Sequence, residues 1–123
     1  MPASAHESSA AHILIVEDDA TVGDSIADIL RTLRGDICTV IRSKPVAEER
    51  MRRQRPDLVI LDYKLLGGSG SVLARLASNM RIPAVVISGH NVAERAKAQG
   101  LPFLQKPFTA DQLLELLATL LGK

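Results

Sequence analysis

Residues 56–62 read PDLVILD: a proline and an aspartate come first, four apolar residues follow, and Asp62 comes directly after them. Four apolar residues are too few for a helix, and no polar residue alternates with them. Runs of this kind are typical of a parallel strand whose two faces are both buried. We therefore predict a strand over Leu58–Leu61 that leads into a carboxylate.

Short apolar runs of the same kind occur on either side of this one. Each has four or five residues, is rich in small aliphatic side chains and is bounded by Pro, Gly or Asp: Ile13–Val16, Ile37–Ile41, Ala84–Ile87 and Leu101–Leu104. Helical patterns fill the intervals between the runs. Five strands that alternate with five helices predict an α/β fold, a doubly wound five-stranded parallel sheet with helices on both faces.

Two of the predicted strands carry features of edge strands. Pro102 cannot donate a hydrogen bond to a central ladder, and Thr39 makes the second run partly polar. Strands two and five are therefore placed at the edges, which fits the strand order 2-1-3-4-5 of flavodoxin-like proteins.

The helices are predicted from apolar spacing and from capping residues. Gly35 ends the first, Ser43 and Pro45 open the second, and Thr109 with Gln112 forms a capping box for the fifth. A fourth helix around residues 92–99 carries alanines and is expected to pack weakly. The apolar faces are Val22, Ile26, Ile29, Leu30 and Leu33; Ala47 and Met51; Leu73, Leu76, Ala77 and Met80; and Leu113, Leu116, Leu117 and Leu120.

Length and composition favour one domain and exclude several classes of protein. The 123 residues are 46% apolar, enough for one core, and residues 12–122 are predicted to form it. Residues 1–11 are small and polar and are expected to be a flexible leader, either a native tail or a linker from an upstream domain. A net charge of +1 and 2% aromatic residues argue against direct nucleic-acid binding. Without a signal peptide or membrane span, a cytoplasmic location is predicted.

Polar residues follow four of the five predicted strands. Glu17 and Asp18 follow the first strand, Asp62 the third and Ser88 the fourth, and Lys106 lies just beyond the fifth. Because ligands of such sheets bind beyond the carboxyl ends of the strands, we expect these side chains to meet at one rim.

Carboxylates brought together in this way raise one another's pKa unless a cation neutralises them. Hard oxygen ligands suit Mg²⁺, or Mn²⁺, whereas the three histidines are scattered and lack the spacing of a zinc site. Singly, each residue has a simpler interpretation: Asp19 is equally well a helix cap, and Asp62 could start a turn. The joint placement at the strand ends is what favours a metal site.

Four strings carry a resemblance to a known family. ILIVEDD, PDLVILD, AVVISG and FLQKPF occur in the order found in receiver domains of two-component response regulators, and the similarity covers residues 12–122. The resemblance implies a signalling domain rather than an enzyme with a separate substrate. It also implies that Asp62 accepts a phosphoryl group from a histidine kinase or a histidine phosphotransfer protein.

The resemblance further implies roles for the other rim residues. Asp18 would bind Mg²⁺ directly, Glu17 through water, and Lys64 through its backbone carbonyl. Lys106, next to a cis Pro107, and Ser88 would bind phosphoryl oxygens, and Phe103 would be an aromatic switch residue that moves with Ser88. The turn after Asp62 departs from the family, because Leu66 and two glycines replace the usual Pro and Met, so we expect a looser loop.

Single residues argue against two other classes of protein. A phosphoaspartate hydrolase of the haloacid dehalogenase type would need an acid where Lys64 stands, and a flavodoxin-like cofactor module would not place Glu17 and Asp18 after its first strand. A pseudo-receiver that acts only as a docking scaffold remains the alternative, although such proteins usually lack site residues.

Two stretches of the sequence concern the surface of the domain. Leu114 and Leu121 share a flank of the fifth helix and predict either a partner face, for a homodimer or an effector on helices four and five, or a wide buried face. The arginines between residues 50 and 55 are interpreted as a solvated helix end.

Overall fold

The computed structural model describes residues 10–65, 68–89 and 100–123 of the chain. Its elements are, in chain order, β1 (His12–Val16), α1 (Ala20–Arg34), β2 (Ile37–Ile41), α2 (Lys44–Arg53), β3 (Leu58–Asp62), β4 (Lys64–Leu65), β5 (Gly68–Ser69), α3 (Gly70–Asn79), β6 (Ala84–Ser88), β7 (Phe103–Gln105) and α4 (Ala110–Leu121). No described helix is both long and apolar enough to cross a bilayer.

Five parallel strands form the main sheet in the order β2-β1-β3-β6-β7. This confirms the doubly wound fold, the order 2-1-3-4-5 and both predicted edges. β7 begins two residues later than predicted because Pro102 has no N–H to donate; its carbonyl still accepts a hydrogen bond from Val86 N at 2.9 Å.

The core lies in two layers, one on each face of the sheet. Alternate residues of the strands point to opposite faces, and α2 and α3 cover one face while α1 and α4 cover the other. All five residues of β3 and of β6 are buried. The central strands are therefore rigidly packed, and their carboxyl ends are held at a common level.

α1 begins and ends as predicted. The side chain of Asp19 accepts hydrogen bonds from Thr21 N and Val22 N, and Gly35 closes the helix with a φ of 75°. The prediction that Leu33 belongs to the buried face is wrong, because its side chain is 60% exposed. Leu33 lies in the last turn, where the helix has left the core, and Ile37 at the start of β2 is likewise 52% exposed.

The segment after Asp62 contains a feature that the sequence did not predict. We expected a loose turn at residues 66–68, of which Leu66 and Gly67 lie outside the described residues; on either side of them β4 and β5 pair as antiparallel strands, and Gly70 N donates to the carbonyl of Tyr63 at 2.8 Å. Gly70 also lies against β3: a Cβ added there would be 2.2 Å from the backbone oxygen of Asp62. Only glycine allows α3 to start this close to the strand.

α4 has the predicted capping box between Thr109 and Gln112. Leu114 and Leu121 are partly buried and pack against the core layer of α1 and α4, which favours the wide buried face over an exposed partner face. The predicted fourth helix, around residues 92–99, lies outside the described residues.

The predicted leader also lies outside them, except for its end. Ala11, which we assigned to the leader, is buried, and its carbonyl accepts a hydrogen bond from Ile37 N at 2.8 Å. Ala11 is thus part of the packed domain.

One hydrogen bond covers part of the free edge of β2. Ile37 N and the carbonyl of Ile41 both bond toward β1, so the backbone groups of Cys38 and Val40 point away from the sheet. Arg31 Nη2 donates to the carbonyl of Cys38 at 2.9 Å. The side chain of Arg31 in α1 is therefore hydrogen-bonded to the outer edge of β2.

Candidate functional site

Three carboxylates meet at the carboxyl ends of β1 and β3. Each of Glu17, Asp18 and Asp62 offers an oxygen, and these oxygens lie within 4.8 Å of one another. Glu17 is only 1% exposed and Asp62 only 7%, whereas Asp18 is partly exposed. The predicted acidic cluster is therefore formed, with one member open to solvent.

Lys106 supplies the positive charge within this cluster. Its Nζ lies 3.1 Å from each carboxylate oxygen of Glu17 and 3.2 Å from Oδ2 of Asp62. The residue lies just after β7, and its peptide bond to Pro107 is cis. One ammonium group thus joins the acids of two different strands.

Ser88 ends β6 next to β3, the strand of Asp62. β6 pairs with β3 in the register Asp62↔Ile87, and the backbone N–H of Lys106 donates to the carbonyl of Ser88 at 2.9 Å. The side chain of Ser88 is fully buried. Ser88 is therefore fixed between the strand of Asp62 and the loop of Lys106.

Burial and charge change the titration of these groups. Burial raises the pKa of Glu17 to about 7, and the negative charge of Asp62 adds to the shift against the opposing effect of Lys106. Burial lowers the pKa of Lys106, but its hydrogen bond to Glu17 and the charge of Asp62 outweigh this and raise it. Lys106 is therefore a permanent cation at neutral pH, and Glu17 is poised to gain or lose a proton.

Two further residues support the acidic loop after β1. Asp19 serves as the helix cap and lies outside the cluster of three acids, in agreement with its simpler interpretation. Arg42 Nε donates to the backbone carbonyl of Asp18 at 3.2 Å. Arg42 was missed from the sequence, and its only signal was its place directly after a strand.

The residues present fit a magnesium ion. Carboxylate oxygens in a partly dry cleft are the ligands that hard divalent cations prefer, and two of the three acids are buried with a single ammonium group between them. A cation would balance the remaining negative charge. The described residues group no other set of His, Cys, Asp or Glu suitable for a metal.

The remaining predicted site residues stand as follows. Lys64 lies in β4, two residues beyond Asp62, and the role of its carbonyl stays a prediction. Phe103 is partly buried against the core layer of α2 and α3 and pairs with Val86 of β6. The switch role of Phe103 also stays a prediction.

The raised pKa of Glu17 gives a testable pH dependence. A protonated Glu17 adds no negative charge to the cluster, so Mg²⁺ affinity is expected to rise, by up to about tenfold, between about pH 6 and about pH 8 as this proton is lost. Calorimetry in buffers of different ionisation enthalpy should detect proton release on Mg²⁺ binding near neutral pH. The Glu17→Gln variant should bind Mg²⁺ more weakly and without this pH dependence; a wild-type affinity that stays flat over the range would contradict the assignment.

Comparison with known proteins gives a consistent result. The family model described as "Response regulator receiver domain" matches residues 13–118. The sensory transduction protein RegX3 of Mycobacterium tuberculosis is 32% identical over 108 residues, which are 83% of this chain and 47% of that protein. The chain thus spans about half the length of this curated relative.

Solved structures agree in fold. A response regulator receiver protein from Burkholderia phymatum superposes with a TM-score of 0.82 at 29% identity, over 91% of this chain and 95% of that one. The receiver domain of the sensor histidine kinase PA1611 from Pseudomonas aeruginosa superposes with a TM-score of 0.81 at 25% identity, over 93% and 99%. That structure has a magnesium ion coordinated in its active-site cleft.

Proposed function

Because the chain belongs to the family of response regulator receiver domains, we propose that Asp62 is the phosphoacceptor of a two-component phosphorelay. The donor is the phosphohistidine of a histidine kinase or of a histidine phosphotransfer protein. The observation that carries the proposal is the joint placement of Asp62, Lys106 and Glu17, with one ammonium group bonded to both acids at the rim of the sheet.

The chemistry follows from the charges at the rim. A carboxylate oxygen of Asp62 attacks phosphorus, the P–N bond to the donor imidazole breaks, and the imidazole keeps the electron pair and takes up a proton. Charge on the phosphoryl oxygens needs cationic and hydrogen-bonding partners. Lys106 is already next to Asp62 and supplies the first, and the buried hydroxyl of Ser88 supplies the second.

The same rim suits a bound Mg²⁺. Asp18 and Asp62 would be direct ligands, with the carbonyl of Lys64, and Glu17 would act through water. A bound Mg²⁺ would neutralise the acids and the charge of the phosphoryl oxygens. The Pseudomonas receiver domain has a magnesium ion coordinated in its active-site cleft.

The proposal is tested by phosphorylation with a small donor. Wild-type protein incubated with acetyl phosphate and Mg²⁺ should gain one phosphoryl group, about 80 Da in intact mass, and lose it again with time. Omission of Mg²⁺ should prevent the gain. A pseudo-receiver scaffold would show no adduct in either condition.

We further propose that phosphorylation changes a partner-binding surface through Ser88 and Phe103. The carbonyl of Ser88 accepts a hydrogen bond from Lys106 N, and Ser88 pairs with Gln105 of β7. Phe103 lies two residues before Gln105 on the same strand. A movement of Ser88 can therefore reach Phe103 through β7. Amide shifts on adding beryllofluoride should concentrate at residues 86–89 and 102–106. Shifts confined to the acids of β1 and β3 would argue against the switch.

The remaining parts of the proposal concern context. The domain signals rather than turns over a separate substrate, and it acts in the cytoplasm with a kinase as its donor. Output occurs through an effector protein or through a second copy of the chain.

A further inference from the structure

A small groove lies at the N-terminal edge of the sheet, at the opposite end from Asp62. Its volume is about 100 Å³, and it opens where β1 and β2 begin and α2 ends. Ile13, Leu14 and Ile37 give it an apolar floor, and Arg50 and Arg55 stand on its rim. Ile37 is 52% exposed, so it adds apolar surface that solvent can reach.

The two rim arginines differ in how they are held. Arg55 donates from Nη1 to the carbonyl of Met80 at 2.8 Å and from Nη2 to the carbonyl of Arg81 at 3.0 Å, so its charge is fixed in place. No described residue forms a hydrogen bond or ion pair with the guanidinium of Arg50. The guanidinium of Arg55 is thus held in position, and that of Arg50 is available to pair with a ligand.

The charge around the groove is strongly positive. Two arginines, Arg50 and Arg55, line the groove, and no carboxylate is among the described residues that line it. The whole chain carries only +1. Our interpretation of the arginines as a solvated helix end fits Arg52, Arg53 and Arg55, which are exposed, whereas Arg50 is partly buried at the rim of the groove.

Size and chemistry limit what the groove can bind. Ligand pockets for nucleotides and other small molecules are several times larger, at about 300 Å³ or more, whereas this groove has room for a single side chain. Among the described residues that line it, His12 is the only one with an aromatic ring, and no Phe, Tyr or Trp offers a broad face on which a base could stack. An acidic peptide suits both the apolar floor and the arginines on the rim. One of its aliphatic side chains fits the floor, and its carboxylates pair with the guanidinium groups.

We propose that this groove binds a short acidic segment of a partner protein, with one aliphatic side chain on Leu14 and Ile37 and flanking carboxylates at Arg50 and Arg55. The groove and the phosphoacceptor lie at opposite edges of the sheet, so both can be occupied at once. The surface would hold a partner near the domain independently of its phosphorylation.

The experiment uses a fluorescein-labelled octapeptide of alternating Leu and Glu, whose binding is followed by fluorescence anisotropy at low and at physiological salt. We expect binding to the wild-type protein that weakens as salt rises. Arg50→Glu should weaken it at least tenfold, and Arg50→Gln and Ile37→Thr each about threefold to tenfold. Ile37→Thr keeps a β-branched residue in the strand, so circular dichroism should show an unchanged fold.

Two controls make the result specific. Arg75→Glu makes the same charge change on an exposed position of α3 and should leave the affinity within about twofold. Asp62→Asn should also bind normally, so a failure of the phosphoacceptor proposal would leave this result untouched. The proposal is overturned by no binding at millimolar protein, by equal binding of the peptide with Gln in place of Glu, by equal weakening in Arg75→Glu, or by a 12-base-pair DNA that binds more tightly than the peptide.

Discussion

The Asp62→Asn variant is expected to gain no phosphoryl mass from acetyl phosphate and Mg²⁺ under conditions in which the wild-type protein is modified. An amide has nearly the shape of a carboxylate but is not a nucleophile toward phosphorus, so we expect the rate to fall by at least about a hundredfold. The variant should still fold, because Asp62 lies at the end of β3 and the strand above it consists of buried apolar residues. Intact mass spectrometry over a time course measures the effect.

The charge change at residue 62 has a second expected effect. The negative charge of Asp62 is one cause of the raised pKa of Glu17, after burial. Its removal should lower the pKa of Glu17 and also remove one of the two partners of Lys106. An NMR titration of the Glu17 carboxyl group would detect this shift even though no phosphorylation occurs.

Asp19→Asn is the matched control for this variant. Asp19 is an acid of the same loop, but its side chain caps α1 through Thr21 and Val22, and asparagine caps helices equally well. Phosphorylation of this control should remain within about threefold of wild type. If Asp62→Asn still gained about 80 Da at the wild-type rate, the acceptor would be another residue, and peptide mapping would locate it.

The second large effect is expected from Gly70→Ala. A Cβ at this position would lie 2.2 Å from the backbone oxygen of Asp62 and 3.1 Å from Cδ1 of Leu61, so α3 or β3 must move. Because both are packed into the core, we expect the free energy of unfolding to fall by about 2–4 kcal/mol. The melting temperature should drop by roughly 10 °C. The residue displaced is Asp62, the proposed acceptor, so phosphorylation of the folded fraction should also slow.

Gly89→Ala is the matched control for that substitution. The same methyl group added after Ser88 would come no closer than 3.9 Å, to Cβ of Lys106, and Gly89 does not have a positive φ. We expect its stability to stay within about 1 kcal/mol of wild type. Equal melting temperatures for Gly70→Ala and wild type would show that α3 can shift freely at its first residue.

The sheet could be predicted from the sequence because its signals are local. Each strand is a short apolar run between residues that break regular structure, and proline and threonine marked the edges without reference to any distant residue. The capping box at Thr109 was predicted for the same reason, and the cap at Asp19 was one of the two interpretations that the sequence left open. The exposure of Leu33 was not predicted, because the spacing of apolar residues does not show where a helix extends beyond the core.

The site was predictable as a set of residues but not as a geometry. That the acids follow neighbouring strands was enough to bring Glu17 and Asp62 together. It did not predict that Lys106 bonds to both oxygens of Glu17, nor that Arg42 holds the carbonyl of Asp18. These contacts join residues that are 24 or more positions apart, and no local pattern records them. The close approach of Gly70 to Asp62 is of the same kind.

The hydrogen bond from Arg31 to Cys38 bears on how this domain behaves at high concentration. β2 is an edge strand, and its five residues include no proline and no charged residue. It therefore lacks the residues that usually prevent an edge strand from pairing with a strand of another molecule. The guanidinium of Arg31 occupies one of the carbonyls that such a strand would need. We therefore expect the Arg31 side chain of α1 to hinder edge-to-edge pairing of β2 with another chain. Because this protection comes from a helix, β2 needs no charged residue or proline of its own.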